Sequence, residues 1–289
     1  MGASFMIWFQ VLASGLSLSG YYALLSLGFA LIFSTFNIFH IAHAAVFGAA
    51  GYIFFGLTRS LAWNPWAAGT VAVLGAAVFG WLIDLLLYRP ILRRGGGMFS
   101  VFIASLGLTL IFEAVVLALT GGSLSVAREG ALQLVEFGSV AIRLYDLAIV
   151  LIVAVLYGLA YLWVMRTRTG MAIRALSNNE GLARVVGVNT MRTRHSVFLV
   201  ASALAGVAGV FTAFDSGITP TAGTQVLFII FVAVLVGGSV NIFLGALVGS
   251  LLMGIVTAVA GFINPQWVSV CVFGILILLL IFRPRGLLA

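Results

Sequence analysis

Lysine is absent from this chain: all fourteen basic residues are arginine. A Walker A phosphate loop needs its lysine to reach the β- and γ-phosphates. The chain therefore cannot carry that motif, and any ATP hydrolysis linked to it must belong to another polypeptide. Charge of either sign is scarce, at 7% of residues against 63% hydrophobic. Soluble domains carry roughly a quarter charged residues, so this chain has too few to cover a water-facing surface. The single cysteine, Cys271, excludes an internal disulfide and sits in an apolar run, where it reads as a small hydrophobe. No basic stretch precedes the first apolar segment, which is expected to be a retained span and not a cleaved signal. Paired carboxylates and nucleophile–base patterns are also missing, which argues against intrinsic hydrolytic chemistry.

What the chain has in abundance is apolar sequence in runs of about 20 residues, the length that crosses a bilayer core as a helix. Nine such segments stand out, at 11–34, 38–57, 67–87, 99–119, 145–165, 196–214, 223–240, 242–262 and 267–282. Alternating short strands, the mark of a membrane β-barrel, are not seen. The expected fold is all-α, a polytopic transmembrane helical bundle of about eight or nine spans, with residues 1–289 as one membrane domain. Segments 38–57 and 223–240 are rich in glycine, alanine and polar residues and could be broken or re-entrant, which is tolerated only where protein covers the backbone. The five prolines, at 65, 90, 220, 265 and 284, all fall at predicted boundaries. Two similar exits, Tyr88-Arg89-Pro90 and Phe282-Arg283-Pro284, read as stop signals in which proline ends the helix. Trp63 and Trp66 fit an interfacial aromatic belt. Residues 120–144, with Arg128, Glu129, Glu136 and Arg143, form the longest connection on the outer side. Gly245 and Gly249 form a GxxxG pair suited to close helix packing.

Arginine placement orients the bundle. Arg89, Arg93 and Arg94 share one connection; Arg166, Arg168, Arg174, Arg184, Arg192 and Arg194 share a second; Arg283 and Arg285 follow the last span. Alternation puts these eleven on one side and Arg59, Arg128 and Arg143 on the other. By the positive-inside rule the eleven are cytoplasmic. With nine spans the N-terminus lies outside and the C-terminus inside. The net charge of +7 is accounted for by these connections, and no separate basic face calls for nucleic acid.

The second connection, residues 166–195, has internal order. Ser177 followed by Glu180 fits a capping box. Leu182, Ala183, Val185 and Val186 supply an apolar strip, and Glu180 and Arg184 have the i,i+4 spacing of an ion pair. Gly187 stands where a helix C-terminus takes a left-handed residue. The spacing predicts a helix of about two turns, capped at both ends. A helix that short is marginal alone in water and needs a surface to dock on, either the lipid headgroups or a groove on a soluble protein.

Arg168-Thr169-Gly170, Ala172, Arg174-Ala175, Asn179, Ala183 and Gly187-Val188-Asn189 together resemble the cytoplasmic loop of the permease subunits of branched-chain amino acid ABC transporters. Other stretches follow in the same order, among them YALLSLGFALIF at 22–33, YRPILRR at 88–94 and FRPRG at 282–286, so the resemblance covers nearly the whole chain. It implies that the loop helix is a coupling helix seated in a groove on an ATPase. Arg174, Ser177, Asn179, Glu180, Ala183, Arg184, Gly187 and Asn189 would be the coupling residues. It also implies a second, homologous or identical permease subunit, two ATP-binding-cassette ATPases that hold ATP and magnesium, an external solute-binding protein, and residence in the bacterial cytoplasmic membrane. No cofactor or metal is expected on this chain. Two segments depart from the family pattern. His40-Ile41-Ala42-His43-Ala44 keeps the histidine of Asn-x-x-His-Gly but not its asparagine or glycine, and GGSVNIFLGA at 237–246 replaces a GGxGSxxGA pattern. The resemblance therefore does not carry over a particular solute.

His40, His43 and Glu113 are the candidate translocation-pathway residues. The histidines are three apart but have no cysteine or carboxylate beside them to complete a metal site, so hydrogen bonding is expected. Glu113 lies well inside an apolar segment, where a carboxylate is costly and faces the bundle or a cavity. Asp84, Asp146 and Asp215 lie near segment ends, within reach of water. The rival reading is a self-sufficient secondary transporter or channel, built on Glu113 and a broken 38–57 segment. A membrane-embedded enzyme using His43 or Glu113 is a third.

Overall fold

The structure, a computed structural model, describes residues 2–122, 134–137, 140–238, 241–283 and 286. Among these, each of the nine apolar segments contributes a helix: α1 (Gly2–Phe36), α2 (His43–Arg59), α3 (Pro65–Ile83), α5 (Met98–Thr120), α6 (Leu144–Arg166), α9 (Thr190–Ser216), α10 (Ala222–Gly237), α11 (Ile242–Ile263) and α12 (Trp267–Phe282). Three short helices complete the set: α4 (Arg89–Arg93), α7 (Arg168–Asn178) and α8 (Glu180–Val185). Six helical stretches are long and apolar enough to cross a membrane, namely Ile7–Phe36, Pro65–Arg93, Met98–Thr120, Tyr145–Arg166, Thr190–Ser216 and Ile242–Ile263. The apolar helices α10 and α12 are shorter, at 16 residues each. The fold is a polytopic, all-α membrane bundle.

One open expectation becomes specific and two change. The 38–57 segment is helical only from His43; residues 37–42 are non-helical, and Asn37 takes a positive φ of 54°. The 120–144 connection is not wholly irregular. Strands β1 (Leu134–Phe137) and β2 (Val140–Arg143) pair antiparallel, with Leu134 opposite Arg143 and Phe137 opposite Val140. Arg128 and Glu129 lie outside the described residues. Nor does Pro90 end its helix. α3 widens into a π turn over Asp84–Tyr88 and continues as α4 through Pro90 to Arg93. Proline's ring would collide with the carbonyl four residues back, and it has no N–H to donate there. A wider turn just before it absorbs both problems. Pro284 lies outside the described residues.

The chain forms two compact units, Met1–Ser26, Ala127–Tyr157 and Phe228–Ala289 in the first and Leu27–Val126 with Gly158–Leu227 in the second. In the first, α11 packs with α12, and the predicted GxxxG surface is used: a methyl group at Gly249 would overlap the Ala233 carbonyl of α10. Ser250 donates to Ser26 at 3.0 Å. In the second, α2, α3 and α9 pack on one another. Ala68, Ala72 and Ala76 recur every four residues on α3 and are fully buried, as are Ala201, Ala205 and Ala208 on α9. Small side chains on facing stripes let the backbones approach, which is how helices gain contact where lipid removes the hydrophobic drive.

Candidate functional site

The loop between α6 and α9 is built from its polar residues outward. Thr167 caps α7, its hydroxyl accepting from Gly170 N at 3.0 Å. Gly170 itself lies so close to the Val164 carbonyl that any Cβ would overlap it, which explains the glycine after Arg168-Thr169. Arg174 reaches back from α7 to donate to that same Val164 carbonyl, one of the last of α6, where a cation is favoured. Ile173 and Leu176 are buried and fix the face on which α7 lies.

The expected capping box does not form. Ser177 lies inside α7, exposed, because α7 runs on to Asn178. Asn179 performs the cap instead: its backbone is extended and its side chain accepts from Leu182 N at 2.9 Å. Asparagine and serine cap about equally well, so spacing alone could not choose between them. The other features of α8 are as read. Glu180 and Arg184 form an ion pair. Gly187 has φ +86°, with Val188 N bonded to Ala183 O at 3.0 Å and Gly187 N to Arg184 O at 3.1 Å. That pair of bonds is the Schellman closure, which satisfies two otherwise orphaned carbonyls. Asn189 then caps α9, accepting from Arg192 N at 2.9 Å.

The apolar strip of α8 faces outward. Ala183 is buried, but Leu182, Val185 and Val186 are 61%, 83% and 70% exposed. The six-residue helix and its C-cap residue Val186 thus present three exposed aliphatic side chains. Beside it, between α7 and α9, lies an open cleft of about 420 Å³ lined by Arg168, Met171, Ala175, Asn189, Arg192 and neighbours.

Where the start of α9 meets the π turn after α3 stands a cluster that the sequence did not reveal. Asp84, fully buried, takes Arg89 Nε on Oδ2 at 2.9 Å and Arg194 on Oδ1 at 2.6–2.7 Å. The expectation that Asp84 reaches water is thus wrong, and two of the eleven counted arginines are spent inside the protein. Arg194 also lies over the rings of Phe36 and Phe198, at 5.2 and 5.6 Å. His195 contacts Trp81 Nε1 and the Arg89 guanidinium. The π turn makes the cluster possible. Asp84 and Arg89 are five apart, a spacing that points to different faces of an α-helix, and the i→i+5 bond from Arg89 N to Asp84 O turns them together.

His40 and His43 are both fully buried, with ring centroids 5.4 Å apart. His40 Nδ1 is 2.6 Å from Tyr88 Oη, which donates to Ser105 Oγ at 2.8 Å; Ser105 also accepts from Ala42 N at 2.7 Å. Here a hydrogen-bonded network replaces the helical backbone that is missing over 37–42. Glu113 stands on α5 seven positions before its last residue, Thr120, so about 10 Å of helix separate it from the nearer end. Its carboxylate accepts from the Thr224 hydroxyl in the first turn of α10. Among the described residues it has no basic partner. The structure brings Glu113 together with Thr224 but not with either histidine.

These features define a multi-pass helical membrane protein with a presented loop helix and buried polar side chains, and no nucleophile–base arrangement among the groups just described. Residues 11–281 match the family described as the branched-chain amino acid transport system permease component, and the chain belongs to it. It is similar to the high-affinity branched-chain amino acid transport system permease protein LivH of Escherichia coli K12, at 30% identity over all of this chain and 97% of that protein. LivH of Salmonella typhimurium is 28% identical over the same shares. BraD of Pseudomonas aeruginosa, with the same description, is 29% identical over 97% of this chain and 95% of its own. No solved structure gives a significant match.

Proposed function

We propose that this chain is the transmembrane permease subunit of an ATP-binding-cassette importer for branched-chain or related amino acids. The observation that carries the proposal is the family match along residues 11–281. The coupling role of the loop is supported by α8, where Leu182, Val185 and Val186 stand exposed among the described residues. Such a face is suited to insertion in a groove of a partner, read through its aliphatic anchors. Arg174, Ser177, Asn179, Glu180, Ala183, Arg184, Gly187 and Asn189 build or flank that helix. ATP and magnesium belong to two partner ATPases, consistent with a chain without lysine. A second permease subunit and an external binding protein complete the assembly, in the bacterial cytoplasmic membrane. The arginine bias assigns the loop to the cytoplasm, with N-terminus outside and C-terminus inside for nine spans.

Co-purification with the ATPase subunits tests this. Leu182→Asp with Val185→Asp should abolish association and leave the permease folded. Wild-type chain that binds no ATPase, or a double variant that binds as well as wild type, removes the coupling role. Transport by the purified chain alone, driven by an ion gradient, would establish the rival reading of a secondary transporter.

A further inference from the structure

Glu113 is the polar residue that the coupling scheme leaves unused. It continues a line of polar side chains on the packed side of α5: Ser105 and Thr109 are buried at successive four-residue steps before it, and Val101 and Val116 flank the line. Leu110, Ile111 and Val115 point the other way and are exposed. Glu113 itself is partly exposed, at the margin between the two faces. Phe112 fixes that rotation of α5, because its ring packs on Gly48 of α2 and lies 6.3 Å from Phe79 of α3.

The partner across from it is equally fixed. α10 begins where Gly223 touches the Ala44 carbonyl, so closely that no side chain would fit. Thr224 follows immediately and donates to Glu113. The acceptor and the hydroxyl are thus held by helix packing, the Phe112 ring of α5 and Gly223 of α10 both resting on α2.

A carboxylate placed this way is not satisfied by one hydroxyl. An ionised carboxylate has about four lone-pair sites, and an unpaired intramembrane acid calls for a cation or for water. Arg89 and Arg194, whose side chains are largely buried, are taken by Asp84. A metal ion would need more oxygen ligands than one carboxylate and one hydroxyl, and no group of three or more His, Cys, Asp or Glu occurs among the described residues. An ammonium fits better. It has three N–H donors, and Glu113 offers a free carboxylate oxygen beside a Thr224 hydroxyl whose lone pairs remain available.

We propose that Glu113, supported by Thr224, is a solute-recognition site that binds the ammonium group of an amino acid during translocation. The proposal rests on the importer reading above and deepens it. Glu113 is the specificity residue, and Thr224 is a positioning residue that orients the carboxylate.

The test uses the complete importer, permease pair, ATPases and loaded binding protein, in proteoliposomes with labelled L-leucine. Glu113→Gln should lower the maximal uptake rate at least about tenfold, with the half-saturating concentration of loaded binding protein unchanged. Glu113→Asp should retain uptake within about threefold, whereas Thr224→Val, which removes the supporting hydroxyl but keeps the charge, should give a loss intermediate between those of E113D and E113Q. Uptake by E113Q equal to wild type overturns the proposal. So does a loss with T224V as deep as with E113Q, which would mark the pair as an interhelical tie. A second measurement needs no variant: labelled L-leucine bound to the wild-type permease–ATPase complex, without binding protein, should be displaced by 3-methylbutylamine and not by 4-methylpentanoate. The opposite order of displacement overturns the ammonium assignment. Absence of ATP-dependent uptake by the wild-type assembly would instead count against the importer reading itself.

Discussion

Asp84 and Glu113 are both carboxylates in long apolar helices of the same compact unit, yet their surroundings differ in kind. Asp84 has no exposed surface and two arginines, one on each oxygen. Glu113 is partly exposed and has a single hydroxyl. A buried charge that is paired and hydrogen-bonded on all sides does structural work; removing one partner strands the others in low dielectric. A charge left open at the edge of a packed face is poorly suited to hold helices together, and well suited to meet something that arrives. The two sites therefore separate holding from recognising, and substitutions should separate stability from transport in the same way.

The largest effect is expected at the closed site. Asp84→Asn leaves Arg89 and Arg194 buried without a counter-charge, which costs about 3–5 kcal/mol. For a chain of this size that lowers the unfolding midpoint in detergent by about 10 °C, read by tryptophan fluorescence. A shift of only a degree or two would show that the arginines find water or each other's neighbours, and the contrast with Glu113 would weaken. Arg194→Lys is the next step down. The ammonium can hold only one of the two contacts to Asp84 Oδ1 and loses the planar stacking over Phe36 and Phe198, a loss of about 1.5–3 kcal/mol.

At the open site stability should hardly move. Glu113→Gln keeps an oxygen that accepts from Thr224, so the midpoint should change by less than about 1 kcal/mol equivalent, while uptake falls as argued above. If E113Q destabilises the chain as strongly as D84N, the two carboxylates do the same job and the division fails.

How much of this could be read from the sequence follows from what holds each part together. The nine apolar segments and the closure of α8 at Gly187 rest on local chemistry, helix length and a left-handed glycine, so the residues announced them. The Asp84 cluster did not, for two reasons. Arg194 lies 110 positions from Asp84, and the i,i+5 spacing of Asp84 and Arg89 places those two apart on any ordinary helix; the π turn before Pro90 unites them. That turn was signalled by the proline, which sequence reasoning took for a stop. The shift of the α8 cap from Ser177 to Asn179 has a similar origin. Both residues cap well, and the outcome was decided by burial of Ile173 and Leu176, which draws α7 past Ser177. Thr224 was invisible because nothing local links α5 to α10.

A third carboxylate sets the lower bound of the comparison. Glu180 pairs with Arg184 one helical turn away, but their side chains are 42% and 63% exposed. Water and salt screen such a pair, and i,i+4 pairs in helices contribute about 0.3–0.5 kcal/mol. Glu180→Gln should therefore leave the unfolding midpoint of the free permease within experimental error. Glu180 also stands in the first turn of α8, where its charge favours the helix dipole, so a small loss of local helicity is the most that burial and geometry permit. The informative readout is association with the ATPases. If the pair only stiffens α8, E180Q weakens co-purification by about twofold, the same factor as 0.4 kcal/mol. A loss of tenfold or more means that Glu180 meets a cation on the partner directly, and the exposed carboxylate would then join Glu113 as a recognising charge.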